Sequence, residues 1–363
     1  VKKYTKNKIK NERRIKMANK KGNKKGTGLK VFGITVLILI IILIAIIGGT
    51  YWFVNNKLSK MQTIDIDEKE LSVSTEAEQN LADYRNIALF GIDSRDSSLG
   101  KGNRSDCIII ASLNNKTKEV KLISVYRDTF MKIEGHGLDK VTHAYSYGEA
   151  PLAIKTLNEN MDLNIKEFVT VNFDAVADAV NALGGVTINV EQNEIQYINS
   201  YIGETSKVTG LKTEKVTKTG KQTLDGVQAV AYSRIRYTEG GDQKRAERMR
   251  TVIEAMVEKI KTKSISEINT FIDTMLPEVY TNIKASDMFA LLPSLANIKV
   301  TESIGWPYET KGITLDRWYG VPVTLESNVK RLHEEAFGED DYTPSDKVKE
   351  ISKSIIQKTS YGK

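Results

Sequence analysis

The chain has 363 residues and a formal net charge of +7, and this length suits one large domain or two small ones. The basic excess is confined to residues 1–30, which hold thirteen of the 53 lysines and arginines but only one of the 46 acidic residues, Glu12. The remaining chain is slightly acidic, which argues against a nucleic-acid-binding protein. The three histidines have no metal-binding spacing, and the single cysteine, Cys107, excludes an intramolecular disulfide.

The first 84 residues divide into three segments of different composition. Residues 1–30 predict a basic tail, and Val31–Val54 contain no charged side chain. At ~1.5 Å per residue this uncharged run reaches ~36 Å as a helix, enough to cross the apolar core of a bilayer. Because lysine-rich flanks stay in the cytoplasm, we expect a single-pass anchor in the cell membrane with an extracellular remainder. A cleaved signal peptide is the alternative, and residues 55–84 predict a polar stalk.

Three strands open the predicted folded region, and each carries polar residues at one end. Asn86–Gly91 and Cys107–Leu113 have the continuous apolar character of buried strands, whereas Glu119–Val125 alternates. A short turn makes the last two strands antiparallel neighbours, so we expect the ends at Asp106 and Arg127 to lie side by side. Polar side chains gathered at one edge of a sheet are typical of α/β binding sites.

The rest of the chain alternates between helical and strand patterns, which predicts an α/β fold with a central mixed sheet flanked by helices. Residues 191–221 predict a polar, variable insertion, and residues 341–363 a peripheral polar tail. The further predicted elements are a loop over 140–147, helices over 149–161, 174–183, 224–232, 265–275, 285–295 and 325–337, and strands over 167–173, 186–190, 299–303 and 312–319, the last two as a pair.

The stretch 232–250, YSRIRYTEGGDQKRAERMR, holds five arginines and one lysine. In an extended segment residues two apart point the same way, so we expect Arg234 and Arg236 to project together. Guanidinium groups bind phosphate oxygens in pairs, which makes a phosphate or pyrophosphate pocket one interpretation of these arginines. The alternative is a set of structural ion pairs with neighbouring acids, namely Glu239, Asp242 and Glu247.

A helix is expected to follow, with Asp242 as its cap. At ~100° per residue, Arg245 falls on the same side as the apolar positions of this helix. Arg248 and Arg250 fall on the two opposite flanks. An arginine on the apolar side of the first turn lies where the helix dipole is positive, so an anionic ligand would stabilise it there.

Six motifs, taken in order, resemble the LytR–CpsA–Psr family, and together they cover most of residues 86–255. They are FGIDSRD at 90–96, RSDCIIIASLN at 104–114, SVYRDTF at 124–130, DKVTHAYSYGE at 139–149, NALGGVTINV at 181–190, and GVQAVAYSRIRY followed by GDQKRAERMR within 226–250. The ordered set is far more specific than any one motif.

The resemblance implies a fold, a reaction and partners. Family members have an α/β core whose apolar pocket holds a polyprenyl chain, so one extracellular domain is expected over residues 85–340, with its core at 86–255. The implied activity is that of a phosphotransferase in Gram-positive cell-wall biogenesis. It would move an anionic glycopolymer, of the teichoic acid or capsule type, from the membrane lipid undecaprenyl-pyrophosphate onto peptidoglycan. The implied cofactor is Mg²⁺ or Mn²⁺.

The resemblance also assigns roles to individual residues. Asp93 and Asp106 match acids that help to bind magnesium near the pyrophosphate. The implied pyrophosphate-binding residues are all basic, namely Arg104, Arg127, Lys140, Arg234, Arg236 and Arg245. Asp93, Arg127 and Arg245 are the expected catalytic residues. Met249 departs from the family, which usually has a glutamine at this position.

Electrostatics agrees with this assignment, because a metal ion and arginines stabilise the charge that accumulates on a pyrophosphate leaving group. An acceptor hydroxyl would also need a base, for which the candidates are Asp93, Asp96 and Asp128. Two other functions stay open. One is a polyprenyl-pyrophosphate pyrophosphatase with water as acceptor, and the other is a non-enzymatic, lipid-binding regulator of the transcriptional attenuator type.

Overall fold

The computed structural model describes residues 62–92, 99, 100, 102–284, 287 and 298–362. The predicted anchor Val31–Val54, the acids Asp93 and Asp96, and nearly all of the helix expected over 285–295 lie outside these residues. Within them, no helix is both long and apolar enough to cross a membrane. The described residues belong to one unit, Lys60–Lys363.

The strands among the described residues are, in chain order, β1 (Gln62–Thr63), β2 (Tyr84–Ile92), β3 (Ser105–Asn114), β4 (Glu119–Val125), β5 (Phe130–Ile133), β6 (Gly137–Lys140), β7 (Glu167–Val171), β8 (Val186–Val190), β9 (Gly220–Leu224), β10 (Tyr280–Thr281), β11 (Lys299–Trp306), β12 (Thr310–Thr314) and β13 (Trp318–Pro322). Seven of them form one mixed sheet in the order β1–β10–β7–β2–β3–β4–β11. Within it β3 pairs antiparallel with both β2 and β4, whereas β2 pairs parallel with β7 and β4 with β11. The central mixed sheet is therefore confirmed.

Helices cover the sheet and connect its strands. In chain order they are α1 (Thr75–Asn80), α2 (Val141–Met161), α3 (Phe173–Ala182), α4 (Gln192–Thr209), α5 (Gly226–Ser233), α6 (Gly241–Lys261), α7 (Ile265–Met275), α8 (Leu325–Leu332) and α9 (Asp346–Thr359). Residues 140–147, predicted as a loop, are mostly the first half of α2, which has non-helical dihedral angles at Gly148 and Glu149.

The side chains of β2 alternate between the two faces of the sheet, so this strand contacts both the main core and a cavity on the other face. Ala88, Phe90 and Ile92 belong to the main core cluster, where the Phe90 ring lies 5.3 Å from that of Tyr145 on α2. Leu89 between them lines a cavity under α3 and α6. Successive side chains of a strand point to opposite faces, so one strand closes the core and also forms the floor of the site.

Four expectations for the outer parts of the chain are wrong. The segment predicted as a stalk buries Leu71 and Leu81 completely, and the predicted polar tail forms α9, which buries Ile351 and Ile355 in the same core. Charged residues on the outer sides of short amphipathic segments hide such apolar positions from a composition-based reading.

The other two errors concern pairing and an apparent insertion. Strand β11 joins the main sheet beside β4, so Ile304 and Trp306 are buried, while β12 pairs with β13 as a separate hairpin. The supposed insertion 191–221 contains α4, where Ile198 and Ile202 are buried in a second core cluster with α5 and α6.

Candidate functional site

The site begins where β3 and β4 end next to each other. Asp106 is the second residue of β3, and Arg127 follows β4 by two positions. Antiparallel pairing of these strands brings the two side chains together, with 2.6 Å between Arg127 Nη1 and Asp106 Oδ1. The expectation that these strand ends are neighbours is confirmed.

Two arginines from the basic stretch approach the same carboxylate. Arg236 Nη2 lies 3.5 Å from Asp106 Oδ2, and Arg245 Nη1 lies 3.9 Å from it. Arg245 Nη2 also donates to the backbone carbonyl of Asp106 at 3.2 Å. One acid at the sheet edge thus gathers side chains from the loop after α5 and from α6.

Asp242 completes this side of the site. Its Oδ1 lies 2.8 Å from Arg245 Nη2 and 3.8 Å from Arg236 Nε. Helix α6 has Gly240 as its N-cap, so Asp242 lies in the first turn and is not the cap that the sequence suggested. The predicted pairing of these arginines with local acids is confirmed for Asp242. The negative charge of Asp242 also interacts favourably with the positive end of the helix dipole.

A second acid links Lys140 to the site. Asp128 Oδ1 lies 2.7 Å from Lys140 Nζ and 3.6 Å from Arg127 Nε. Lys140 ends β6, and its side chain is only 14% exposed. We call these residues the arginine cluster. It comprises the four cations Arg127, Lys140, Arg236 and Arg245 and the three acids Asp106, Asp128 and Asp242.

The cluster has more positive than negative side chains, and its most buried cation, Arg245, is almost inaccessible to solvent. Arg245 is only 4% exposed, and burial lowers the pKa of its guanidinium. The Nε atoms of Arg127 and Arg245 are buried and have no hydrogen-bond partner among the described residues. A desolvated cation with unused donors is stabilised by an anion, and phosphate oxygens match guanidinium donors in charge and geometry. The arrangement therefore suits an anionic ligand.

Two predicted site residues, Arg234 and Arg104, have no ion pair with the cluster among the described residues. Helix α5 runs to Ser233, so Arg234 is its C-cap rather than part of an extended segment, and the expected common direction with Arg236 is wrong. Arg234 instead pairs with Glu204 at 3.0 Å and lies over the Phe173 ring. Arg104 is exposed, with its charge acting on the Tyr147 hydroxyl. Asp93 lies outside the described residues.

The two flanking arginines of α6 are also buried, which helical phase alone did not indicate. Arg248 is 1% exposed, and its Nε donates to Glu194 Oε1 at 2.7 Å. Arg250 is 6% exposed, and burial lowers its pKa. Glu194 also forms a capping box with Glu191 at the start of α4, but no sequence pattern pointed to its pairing with Arg248.

An apolar cavity of about 200 Å³ lies directly beside the cluster, between the sheet and helices α3, α5 and α6. Asp106 is in its wall, and so are Met249, Val252 and Met256 of α6, as the predicted apolar face of this helix requires. Met249, the position at which the resemblance implies a glutamine, supplies an apolar surface. The site therefore joins a charged end to an apolar compartment.

Cys107 also lines this cavity, and its chemistry excludes one role. Burial raises the pKa of the Cys107 thiol to about 12, so the thiol stays protonated at neutral pH. The thiolate is the nucleophilic form, which means that Cys107 does not serve as a nucleophile.

We expect the rate of Cys107 alkylation by iodoacetamide to be still rising at about pH 11 in the folded chain, because the thiolate remains the minor form below a pKa of about 12. The urea-unfolded chain is the control. Its alkylation rate should level off by about pH 10, because an unperturbed cysteine has a pKa of about 8.5. Mass spectrometry of the labelled chain measures both profiles. Identical profiles for the folded and unfolded chain would contradict the burial effect.

The cluster provides few side-chain ligands for a metal ion. Across the described residues, no group of three or more histidine, cysteine, aspartate or glutamate side chains is arranged to hold one. Asp106 Oδ2 has its arginine neighbours at 3.5 and 3.9 Å, beyond normal hydrogen-bond lengths, which leaves this oxygen available to a cation. Mg²⁺ commonly takes one or two carboxylates and completes its shell with water and substrate phosphates, so the donor set fits.

Comparison with known proteins gives a consistent set of relatives. The sequence profile of the LytR_cpsA_psr family matches residues 49–331. The polyisoprenyl-teichoic acid–peptidoglycan teichoic acid transferase TagT of Bacillus subtilis (strain 168) is 34% identical over 273 residues, which are 73% of this chain and 82% of TagT.

Two solved structures share the fold. One is described as TagT bound to LIIa-WTA; it is 28% identical, aligns with a TM-score of 0.55, and the match covers 77% of this chain and 92% of that one. The other is the LytR-CPS2A-psr family protein YwtF (TagT) with bound octaprenyl pyrophosphate lipid; it is 26% identical, with a TM-score of 0.51 and the same coverage.

Proposed function

The chain belongs to the LytR–CpsA–Psr family, and from that premise we propose that it transfers an anionic glycopolymer from a polyprenyl-pyrophosphate carrier onto peptidoglycan. The observation that carries the proposal is the contact between the arginine cluster and the apolar cavity, which share Asp106. A ligand with a pyrophosphate next to a long hydrocarbon chain has the same division into a charged and an apolar part. The relative with bound octaprenyl pyrophosphate supports this choice.

The carrier would lie with its pyrophosphate among the guanidinium groups and its first isoprene units in the cavity. Arg245 and Arg236 face Asp106 Oδ2 at distances too long for hydrogen bonds, so phosphate oxygens can take up their donors. Undecaprenyl is the chain that we propose, and a teichoic-acid-type polymer is the cargo, since the relatives are named for teichoic acid.

The reaction breaks the phosphoanhydride bond of the carrier pyrophosphate and forms a phosphate ester with the acceptor. A hydroxyl of the acceptor attacks the phosphorus that carries the polymer, the bond to the bridging oxygen breaks, and polyprenyl phosphate leaves. Charge accumulates on the leaving phosphate, and Arg127, Arg236 and Arg245 stabilise it because they are already positioned by Asp106 and Asp242. The acceptor proton goes to a carboxylate, for which Asp128 is the candidate among the described residues.

We propose that Asp106, together with Asp93, holds a Mg²⁺ ion at the pyrophosphate. When bound, the ion would neutralise phosphate charge and act as a Lewis acid. The arginines would bind the phosphate oxygens that face the cluster.

The test is a transfer assay with the full chain, a labelled polyprenyl-pyrophosphate-linked polymer and peptidoglycan. We expect label on peptidoglycan, and we expect chelation to lower the rate and Mg²⁺ or Mn²⁺ to restore it. Asn in place of Asp106 should raise the Mg²⁺ concentration needed for half-maximal rate. Full activity in chelator would exclude the metal, and release of label only into water would identify the protein as a pyrophosphatase. Lipid binding without turnover would favour the regulator.

We also propose that the domain lies outside the cell membrane, anchored through Val31–Val54. The support is the charge asymmetry around this uncharged run. Protease added to intact protoplasts should digest the chain beyond residue 60, and a fully protected large fragment would overturn this orientation.

A further inference from the structure

A second, smaller pocket adjoins the arginine cluster and shares no lining residue with the apolar cavity. It has a volume of about 60 Å³, and its wall includes Tyr126, Asp128, Asp242, Gln243, Thr310 and Trp318. Asp128 and Asp242 are both members of the arginine cluster. A volume of this order accepts several waters or one small polar group, such as the hydroxymethyl group of a sugar.

The hairpin β12–β13 holds Trp318 next to this pocket. The backbone N–H of Gly320 donates to the Asp128 carbonyl at 3.0 Å, and Thr129 forms a bridge with Gly320. The hairpin is therefore tied by its backbone to the segment that carries Arg127 and Asp128. Trp318 cannot drift away from the cluster without breaking these hydrogen bonds.

One side of the Trp318 indole packs against the protein backbone, and the rest of the ring is exposed to solvent. A methyl group added at Gly312 would lie 2.8 Å from Trp318 Nε1, so the ring rests directly on the backbone of the opposite strand. The residue is nevertheless 52% exposed. A large aromatic ring that is fixed and half open provides a flat apolar surface, and the energy of keeping it exposed is recovered when a ligand covers it.

We propose that Trp318, with Gln243 and Thr310, forms the subsite for the acceptor glycan, and that the acceptor hydroxyl enters the pocket between Asp128 and Asp242. A sugar has apolar C–H faces, which suit the indole, and hydroxyl groups, which suit the amide, the threonine hydroxyl and the carboxylates. This inference rests on the proposed function. It places donor and acceptor in two compartments beside one cluster, with Asp106 in the wall of the apolar cavity and Asp242 in the wall of the smaller pocket.

A membrane contact is the competing explanation for an exposed Trp318, since Leu315 on the same hairpin is 39% exposed. The wall of the pocket favours the glycan, because Gln243 and Thr310 carry hydrogen-bonding groups that match sugar hydroxyl groups and have no counterpart in an acyl chain.

The experiment compares Trp318→Ala, Trp318→Tyr and Leu315→Ala in the full chain. Binding of soluble peptidoglycan glycan-strand fragments is measured by saturation-transfer NMR, and donor binding and transfer are measured separately. We expect Trp318→Ala to weaken fragment binding and raise the KM for the acceptor about tenfold, with donor binding unchanged. The tyrosine variant should retain most of the affinity, and Leu315→Ala should behave like the wild type. Gly312→Ala, which displaces the indole, should resemble Trp318→Ala.

The outcomes separate this inference from the proposed function. Unchanged fragment binding in Trp318→Ala would overturn the subsite even if transfer persists. Loss of liposome binding in both Trp318→Ala and Leu315→Ala, with fragment binding intact, would overturn it in favour of a membrane contact. Trp318-dependent fragment binding in a chain that transfers nothing would uphold the subsite and reject the proposed transferase.

Discussion

Replacing Arg245 with alanine should reduce the rate of transfer by about ten- to a hundredfold, because a charge-assisted contact to phosphate contributes ~1.5–3 kcal/mol when it tightens in the transition state. Arg245 is the deepest cation of the cluster, its pKa is lowered by burial, and its Nε has no hydrogen-bond partner in the part of the chain that the structure describes. Its Nη2 is held by Asp242 and the Asp106 carbonyl, so Nη1 and Nε are the donors that we expect to bind the phosphate. The measurement is kcat/KM for the polyprenyl-pyrophosphate donor.

The neighbouring residue provides a matched control for this loss. Lys244 points to Glu247 on the exposed side of α6, 2.6 Å away, so Lys244→Ala removes a charge from the same turn without touching the cluster. It should retain nearly all activity. Circular dichroism should show that both variants are folded. Equal losses in Lys244→Ala and Arg245→Ala would mean that net charge, and not the pocket, governs the rate.

The buried pair of Arg248 and Glu194 should matter for stability more than for chemistry. Both side chains are 2% exposed, and Arg248 also donates to the Ile235 carbonyl and the Thr238 hydroxyl. Methionine in place of Arg248 leaves a buried carboxylate without its partner, which typically costs ~3–5 kcal/mol of the free energy of unfolding. Urea denaturation of the full chain measures this loss.

Two further variants test the cause of that destabilisation. Adding Glu194→Gln to Arg248→Met removes the uncompensated charge, so the double variant should be more stable than Arg248→Met alone. Lys244→Met breaks only an exposed pair and should cost about 1 kcal/mol or less. A small loss in Arg248→Met, similar to that of Lys244→Met, would contradict the buried ion pair.

The sequence predicts the position of a side chain correctly where that position depends on a single local feature, such as one turn or one helical period. The meeting of Asp106 and Arg127 follows from a short turn between adjacent strands, and the apolar side of α6 follows from its period. Both are confirmed. These inferences succeed because strand pairing and helical phase act over a few residues.

The remaining parts of the site depend on contacts that sequence periodicity does not reveal. Arg234 turns away because α5 continues to Ser233, and the exact end of a helix is the least certain part of any assignment. Lys140 reaches the cluster only because the β5–β6 hairpin precedes α2. Trp318 depends on a backbone bridge from β13 to Thr129, which joins segments far apart in the chain.

The central claim is that one ligand occupies both the arginine cluster and the apolar cavity. Photo-crosslinking of the full chain with a polyprenyl pyrophosphate that carries a photoreactive group near its first isoprene unit tests it most directly. We predict saturable labelling of cavity residues of α6, such as Met249 and Val252, which inorganic pyrophosphate reduces by competing for the cluster. Labelling that pyrophosphate does not affect, or that falls outside the cavity, would contradict the claim.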